Sequence, residues 1–84
     1  MNTPLAFIPR TKADSLALDI AEEFNDQARL PLYREVCSAH DGQLVYRAFR
    51  AALATPLSQI KKSRKALFLY LIRKYEYESR TPRN

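Results

Sequence analysis

Apolar residues recur every three or four positions along most of this chain, which is the spacing of one face of an α-helix. The first such stripe begins at Leu16 and ends at Phe24. Asp14 or Ser15 is suited to cap the start of this helix, because a short polar side chain can accept a hydrogen bond from the first turn. The pattern therefore predicts a first helix over residues 15–25, with an acidic outer face.

Two more helices are predicted in the middle of the chain. Pro31 suits the first turn of a helix over residues 31–39, where its missing N–H costs nothing. Gly42 is suited to a left-handed cap at the end of this helix. A third helix is predicted over residues 43–54, and it ends because Pro56 pushes the preceding residue out of the helical region.

The most hydrophobic stretch is an unbroken apolar run over residues 66–72, with basic residues at both ends. Such a run fits a buried strand or a helix. We favour a helix, because a single glycine leaves few turn residues for hairpins and the flanking cations are good helix formers. The helix is predicted to begin at Ser63, or a turn and a half earlier at Ser58, and to run to about Tyr77. Since it is apolar on most sides, we expect neighbouring helices or a second subunit to enclose it.

Together these elements predict an all-α fold, a compact four-helix bundle-like single domain. Pro4 and Pro9 oppose a helix in residues 1–12, so we expect an extended N-terminal arm there, with its apolar residues docked on the body. The helical domain then covers residues 13–78, and residues 79–84 form a frayed polar tail.

The last helix is expected at the centre of the core. The apolar residues expected to be buried are Leu16, Ile20, Phe24, Val36, Leu44, Val45, Phe49, Leu53, Ile60, Leu67, Phe68, Leu71 and Ile72.

Charge is distributed unevenly along the chain. Residues 1–56 carry six Lys or Arg and seven Asp or Glu, whereas residues 57–84 carry eight and two, a net charge of +6. A nearly neutral body with a basic last third favours an anionic partner, such as nucleic acid, an acidic protein face or a lipid headgroup surface.

Three further features concern membrane association, secretion and the cellular compartment of the protein. The apolar run is far shorter than the roughly 20 residues of a membrane span, so no membrane partner is expected. The first residues lack the pattern of a signal peptide. Cys37 is the single cysteine and cannot form an internal disulfide, which favours a reducing compartment, and we expect the cytoplasm.

Cations crowd the predicted start of the last helix. A helix N-terminus already carries about half a positive charge, and an acidic residue there stabilises by about 0.3–1 kcal/mol, so cations give up that benefit. Free N–H groups, a hydroxyl and several cations together make a good phosphate-binding site. The residues predicted to form it are Lys61, Lys62, Ser63, Arg64 and Lys65, and Arg47 and Arg50 of the third helix are expected to extend it. The alternative is a solvated basic loop that keeps an apolar helix from aggregating.

The sequence gives less support to two other kinds of site, a base-stacking surface of tyrosines and a metal site. Tyr70, Tyr75 and Tyr77 are interleaved with cations and could stack on bases, although packing in a core or an interface is the favoured interpretation. Cys37 and His40 have the i, i+3 spacing of two metal ligands, but a zinc site needs four ligands, or three and a water. We therefore expect a buried cysteine and a surface histidine, with no metal or cofactor, and an enzyme is not expected.

The run IKKSRKALFLYLIRKY, from Ile60 to Tyr75, follows an ALATP stop. It resembles the closing helical module of some bacterial, phage and plasmid replication-type proteins, in which a polar turn precedes a helix with an alanine-aromatic-leucine core. The resemblance covers about the last third of the chain. It departs from the pattern at Ser63 and Arg64, where an Asn-Pro-like helix start would stand. The resemblance implies a DNA- or RNA-associated function, and it assigns no functional residues.

The sequence thus predicts a small, basic, non-catalytic nucleic-acid-binding protein or accessory domain. The alternative is a protein-interaction module, either a homodimer or an adaptor for an acidic partner. That module would use the apolar last helix and the N-terminal arm.

Overall fold

A computed structural model describes residues 8–80 of the chain, and within them all regular structure is helical. The four α-helices are α1 Lys12–Glu23, α2 Leu30–Ala39, α3 Gly42–Ala54 and α4 Arg64–Arg80. The predicted all-α, four-helix fold is confirmed.

The cap of α1 lies one turn earlier than predicted. The Thr11 hydroxyl accepts a hydrogen bond from the Asp14 N–H at 3.0 Å. Asp14 is thereby left free to act elsewhere, and its carboxylate pairs with Arg34 of α2 at 3.3 Å. The prediction of Asp14 or Ser15 as the cap is wrong because a third short polar residue, Thr11, precedes them.

Within residues 8–80 the left-handed position is Asn25, with φ of 53°, and Gly42 does not adopt a positive φ. Asn25 ends α1 and allows the Asp26 N–H to bond back to the Ala21 carbonyl at 2.8 Å. Gly42 instead begins α3, where the Asp41 carboxylate accepts two N–H bonds from the first turn. The predicted role of Gly42 as a C-cap is therefore wrong, because Asp41 starts a new helix directly before it.

The alternative starts of α4 are resolved in favour of Ser63. Its hydroxyl accepts a hydrogen bond from the Ala66 N–H at 3.0 Å, whereas Ser58 lies in a short 3-10 turn, Leu57–Gln59. At its other end α4 continues to Arg80, beyond the predicted end near Tyr77.

The predicted arm and tail fall largely outside the described residues. This applies to residues 1–7 and 81–84. Of the apolar residues of the arm, Ile8 is described, and its side chain is exposed. The expectation that the apolar residues of the arm dock on the body is therefore wrong for Ile8.

The helices pair as two hairpins, α1 with α2 and α3 with α4. A cluster of rings joins the hairpins, with centroids 5.7–6.2 Å apart, largely in edge-to-face geometry. Its members are Phe24, Tyr33, Phe49 and Phe68. The Tyr33 hydroxyl donates to the Asp26 carboxylate at 2.8 Å, so this buried polar group is satisfied.

Among the predicted core residues, five are buried, namely Ile20, Val45, Phe49, Phe68 and Ile72. Eight are half-buried, namely Leu16, Phe24, Val36, Leu44, Leu53, Ile60, Leu67 and Leu71. The core is completed by Ala17, Ala21, Tyr33, Cys37, Ala48 and Ala52. Alanines occupy many of the buried positions, and their small side chains leave room for the aromatic rings.

The prediction of a central α4 is wrong. The backbone of α4 approaches that of α3, whereas α4 contacts the first hairpin through side chains such as Phe68. Two residues of α4 are buried, Phe68 and Ile72, while Tyr70 and Tyr77 are exposed. The helix therefore lies at the side of the domain, with one face towards solvent.

Raising the pH above about 9 is expected to destabilise the fold. Two buried groups, the Cys37 thiol and the Tyr33 hydroxyl, keep their protons to a higher pH in the folded protein than in the unfolded chain. Burial, followed by the negative charge of Asp14, raises the pKa of the Cys37 thiol from 9.0 to about 11. Burial and the hydrogen bond to Asp26 raise the pKa of the Tyr33 hydroxyl. The unfolded chain loses these protons at their ordinary pKa values. The free energy of unfolding is thus constant with respect to these groups below about pH 9, and it falls as the pH rises through 11.

Urea denaturation at a series of pH values from neutral to strongly alkaline measures this loss. The Cys37→Ala variant should lose less stability over the same range, since one of the two groups is gone. An identical alkaline loss in both proteins would show that the thiol does not contribute.

Candidate nucleic-acid interface

The structure directs Arg64 inward. Its Nη1 donates to the carbonyl oxygens of Ala52 at 2.6 Å, Leu53 at 3.3 Å and Thr55 at 2.8 Å. The last carbonyls of a helix lack partners within it and form the negative end of its dipole. Arg64 therefore caps the end of α3, and this removes it from the predicted phosphate-binding set. It also accounts for one of the cations at the start of α4.

Lys65, in the first turn of α4, lines a different groove from Lys61 and Lys62. It is half-buried and, together with Ser63 and Arg64, lines a shallow groove whose other side is formed by Phe24, Asn25, Asp26 and Arg29 at the α1–α2 junction. The Asp26 carboxylate makes this groove less attractive to an anion. The predicted cluster is thus divided between two grooves, because Arg64 and Lys65 line this one and Lys61 and Lys62 line another.

Lys61 and Lys62 remain exposed, and both line a second groove at the start of α4. We call it the Tyr70 groove; it is formed by Ile60, Lys61, Lys62, Ala66, Leu67 and Tyr70. Ser63 also lines it, and its hydroxyl oxygen accepts the bond that caps α4. Two cations and an aromatic ring therefore lie together around an apolar floor.

A row of exposed side chains continues from this groove along α4. We call Tyr70, Arg73, Lys74 and Tyr77 the outer face of α4; all four are exposed and follow the i, i+3, i+4, i+7 spacing of one helical face. Arg73 and Lys74 are not among the residues predicted to contact phosphate, because cations near a helix C-terminus are expected for helix stability alone. The signal that could have identified the face is its spacing, opposite the apolar positions of Phe68 and Ile72.

Glu76 is directed away from the outer face. Its carboxylate meets His40 Nδ1 at 2.7 Å and Arg80 at 3.5 Å. Within residues 8–80, Lys61, Lys62, Arg73 and Lys74 form no ion pair. The cations of the groove and of the outer face are consequently not neutralised by carboxylates of the described part of the chain.

Arg47 and Arg50 do not line the Tyr70 groove. The Arg47 guanidinium lies 4.0 Å from the centroid of the Tyr75 ring, a cation–π contact that fastens α3 to α4. It shares a cleft with Asp41, Glu76 and Glu78, and this acidic setting disfavours phosphate. Arg50 is exposed on α3. An extension of the patch onto Arg50 stays a prediction.

Other kinds of site find no support in the described residues. Within residues 8–80 no three histidine, cysteine or acidic side chains lie close enough to hold a metal ion. Cys37 is buried, and His40 is half-buried against Glu76. None of the helices in this part of the chain is long and apolar enough to span a membrane.

No protein-family model matches the chain, and no match was found among curated proteins or among solved structures. The function of the protein is therefore inferred from the residues of the groove and of the outer face.

Proposed function

We propose that this protein binds nucleic acid without catalysis and that it contacts phosphates through Lys61, Lys62, Arg73 and Lys74. The observation that carries this proposal is the composition of the outer face of α4 and the adjoining groove. Four exposed cations lie there beside two exposed tyrosines, and within residues 8–80 none of the four cations is paired with a carboxylate.

The arrangement suits a polyanion better than a small anion. Tyr70 and Tyr77 are seven residues apart on one face, and seven residues of helix rise about 10 Å. Arg73 and Lys74 lie between the two rings along the helix, and Lys61 and Lys62 lie beyond Tyr70. A chain of phosphates can contact such a row in succession, and tyrosine rings can stack on exposed bases. Contacts to phosphate position a ligand without reading its sequence, so no sequence preference is proposed.

Changing all four cations to Gln is expected to abolish binding at moderate salt. Each phosphate contact contributes about 0.7 to the slope of log K against log salt for a single strand. Removing four contacts should therefore flatten that slope by up to about 3 units. Fluorescence anisotropy of labelled oligonucleotides, titrated across a salt series, measures both the affinity and the slope.

A charge-matched control separates a local site from general basicity. It carries Gln in place of Arg10, Lys12, Arg29 and Arg34, four exposed cations outside the outer face and the groove. The two variants have the same net charge, so the control should keep most of its affinity and slope. If both variants lose binding equally, the proposed surface is wrong and only overall charge matters.

A second candidate function, protein interaction, is favoured by two exposed apolar side chains, one in the turn before α4 and one at the start of the described chain. Leu57 is 75% exposed in the turn before α4, and Ile8 is exposed at the start of the described chain. Surfaces of this kind can mark a contact with a partner or with a second copy. Sedimentation equilibrium distinguishes the cases: a concentration-dependent dimer whose formation is abolished by Leu57→Ser would favour this function over the first.

A further inference from the structure

The Tyr70 groove has an apolar floor and one aromatic wall. Ile60 and Leu67 are half-buried and line it, and Ala66, which also lines it, has a small side chain. The Tyr70 side chain is 54% exposed, so a large part of its surface is open to solvent. A flat apolar group entering the groove would find hydrophobic contact and a ring to stack on.

Polar groups at the rim narrow the choice of occupant. Lys61 and Lys62 line the same groove and form no ion pair within the described residues. Gln59 also lines it, and its side-chain amide offers two donors and an acceptor. The groove thus combines a stacking surface, an amide for polar edges and two positive charges.

From this combination we infer that the Tyr70 groove binds an unpaired nucleobase, with the flanking phosphates on Lys61 and Lys62, and that the protein prefers single strands to duplex. The inference rests on the proposed function and deepens it. A nucleotide presents a flat base, hydrogen-bonding edges and a phosphate together, which matches the three components of the groove. In a duplex the base faces are covered by their neighbours, so stacking on Tyr70 requires an unpaired base.

The test compares a labelled single strand of about 12 nucleotides, within the range of common site sizes, with a duplex of the same sequence. Wild type should bind the single strand more tightly. Tyr70→Ala should weaken single-strand binding about 5- to 100-fold and leave duplex binding unchanged, while Tyr70→Phe keeps the ring and the affinity. The salt slope of Tyr70→Ala should equal that of wild type, because stacking releases no counterions.

Tyr46→Ala serves as the matched control. Tyr46 is 52% exposed, close to the value for Tyr70, but it lies on α3 and does not line the groove. Its replacement should leave single-strand binding unchanged. Thermal unfolding of both alanine variants checks that neither substitution acts through stability.

The outcomes separate this inference from the proposed function. Equal binding of strand and duplex, with no effect of Tyr70→Ala, overturns the base site and leaves the phosphate surface standing. No binding of either ligand at low salt overturns both. Polyglutamate that binds as tightly as the single strand, and is weakened equally by Tyr70→Ala, assigns the groove to an acidic peptide instead.

Discussion

Replacing Phe68 by alanine is expected to lower the free energy of unfolding by about 3–5 kcal/mol, the range typical of a buried phenylalanine. The ring is fully buried and contacts Phe24 and Tyr33 of the first hairpin. Because the backbone of α4 approaches only that of α3 among the described helices, these ring contacts are a main attachment of α4 to α1 and α2. Alanine would leave a cavity in that attachment.

The effect is large compared with the stability of so small a protein. At roughly 0.05–0.15 kcal/mol per residue, a chain of this length has about 4–13 kcal/mol in total. The Phe68→Ala variant should therefore be partly unfolded at room temperature if the wild type lies at the lower end of this range, and folded but clearly less stable otherwise. Urea denaturation followed by circular dichroism measures the change.

Tyr70→Ala provides the control on the same helix. This substitution also removes an aromatic ring, but from the solvent-exposed face, so we expect a change within about 0.5 kcal/mol. A similar loss in the two variants would mean that α4 is enclosed on both faces. The position of α4 at the side of the domain would then be wrong.

Replacing Arg64 by Gln is expected to lower the free energy of unfolding by about 2–3 kcal/mol, since hydrogen bonds to a charged group contribute about 1.5–3 kcal/mol each and are not additive here. The guanidinium donates to three carbonyls at the end of α3. Glutamine is shorter and uncharged, so these carbonyls lose their partner. Arg64→Lys should recover part of the loss, because an ammonium keeps the charge but not the fork of donors.

Substitutions of Arg64 also test whether this residue of the basic cluster contacts nucleic acid or only stabilises the fold. At a temperature where the variant is folded, Arg64→Gln should bind nucleic acid almost as well as wild type. Lys65→Gln, its neighbour, should change stability by less than about 1 kcal/mol, as for most surface charges. If Arg64→Gln instead keeps its stability and loses affinity, the arginine contacts phosphate and the cap on α3 is a minor contact.

The two faces of α4 have separate tasks in this proposal. Phe68 and Ile72 hold the helix to the core, and Tyr70, Arg73, Lys74 and Tyr77 face solvent. Since positions three and four apart share a face, the inner and outer sets do not overlap. Substitutions on the outer face should change binding without changing the fold, which makes the binding experiments interpretable.

Local sequence determined the number and approximate limits of the helices. Ser63 caps α4, Pro31 lies in the first turn of α2, and Pro56 follows the end of α3, as the sequence predicts. These features depend on residues within one or two turns of each other, so local pattern is enough to find them. The two wrong cap predictions, at Asp14 or Ser15 and at Gly42, arose where neighbouring residues offered competing caps.

Only the tertiary structure decided where the side chains of the basic cluster lie and which face of α4 is open. The predicted phosphate set joined residues adjacent in sequence, but Arg64 turns to the carbonyls of Ala52, Leu53 and Thr55. Hydropathy alone cannot place Tyr70, because a tyrosine suits both a core and a surface. Its exposure depends on α4 packing at the side of the domain, and that follows from how Phe68 meets rings distant in sequence. Such contacts join separate helices, so no local pattern contains them.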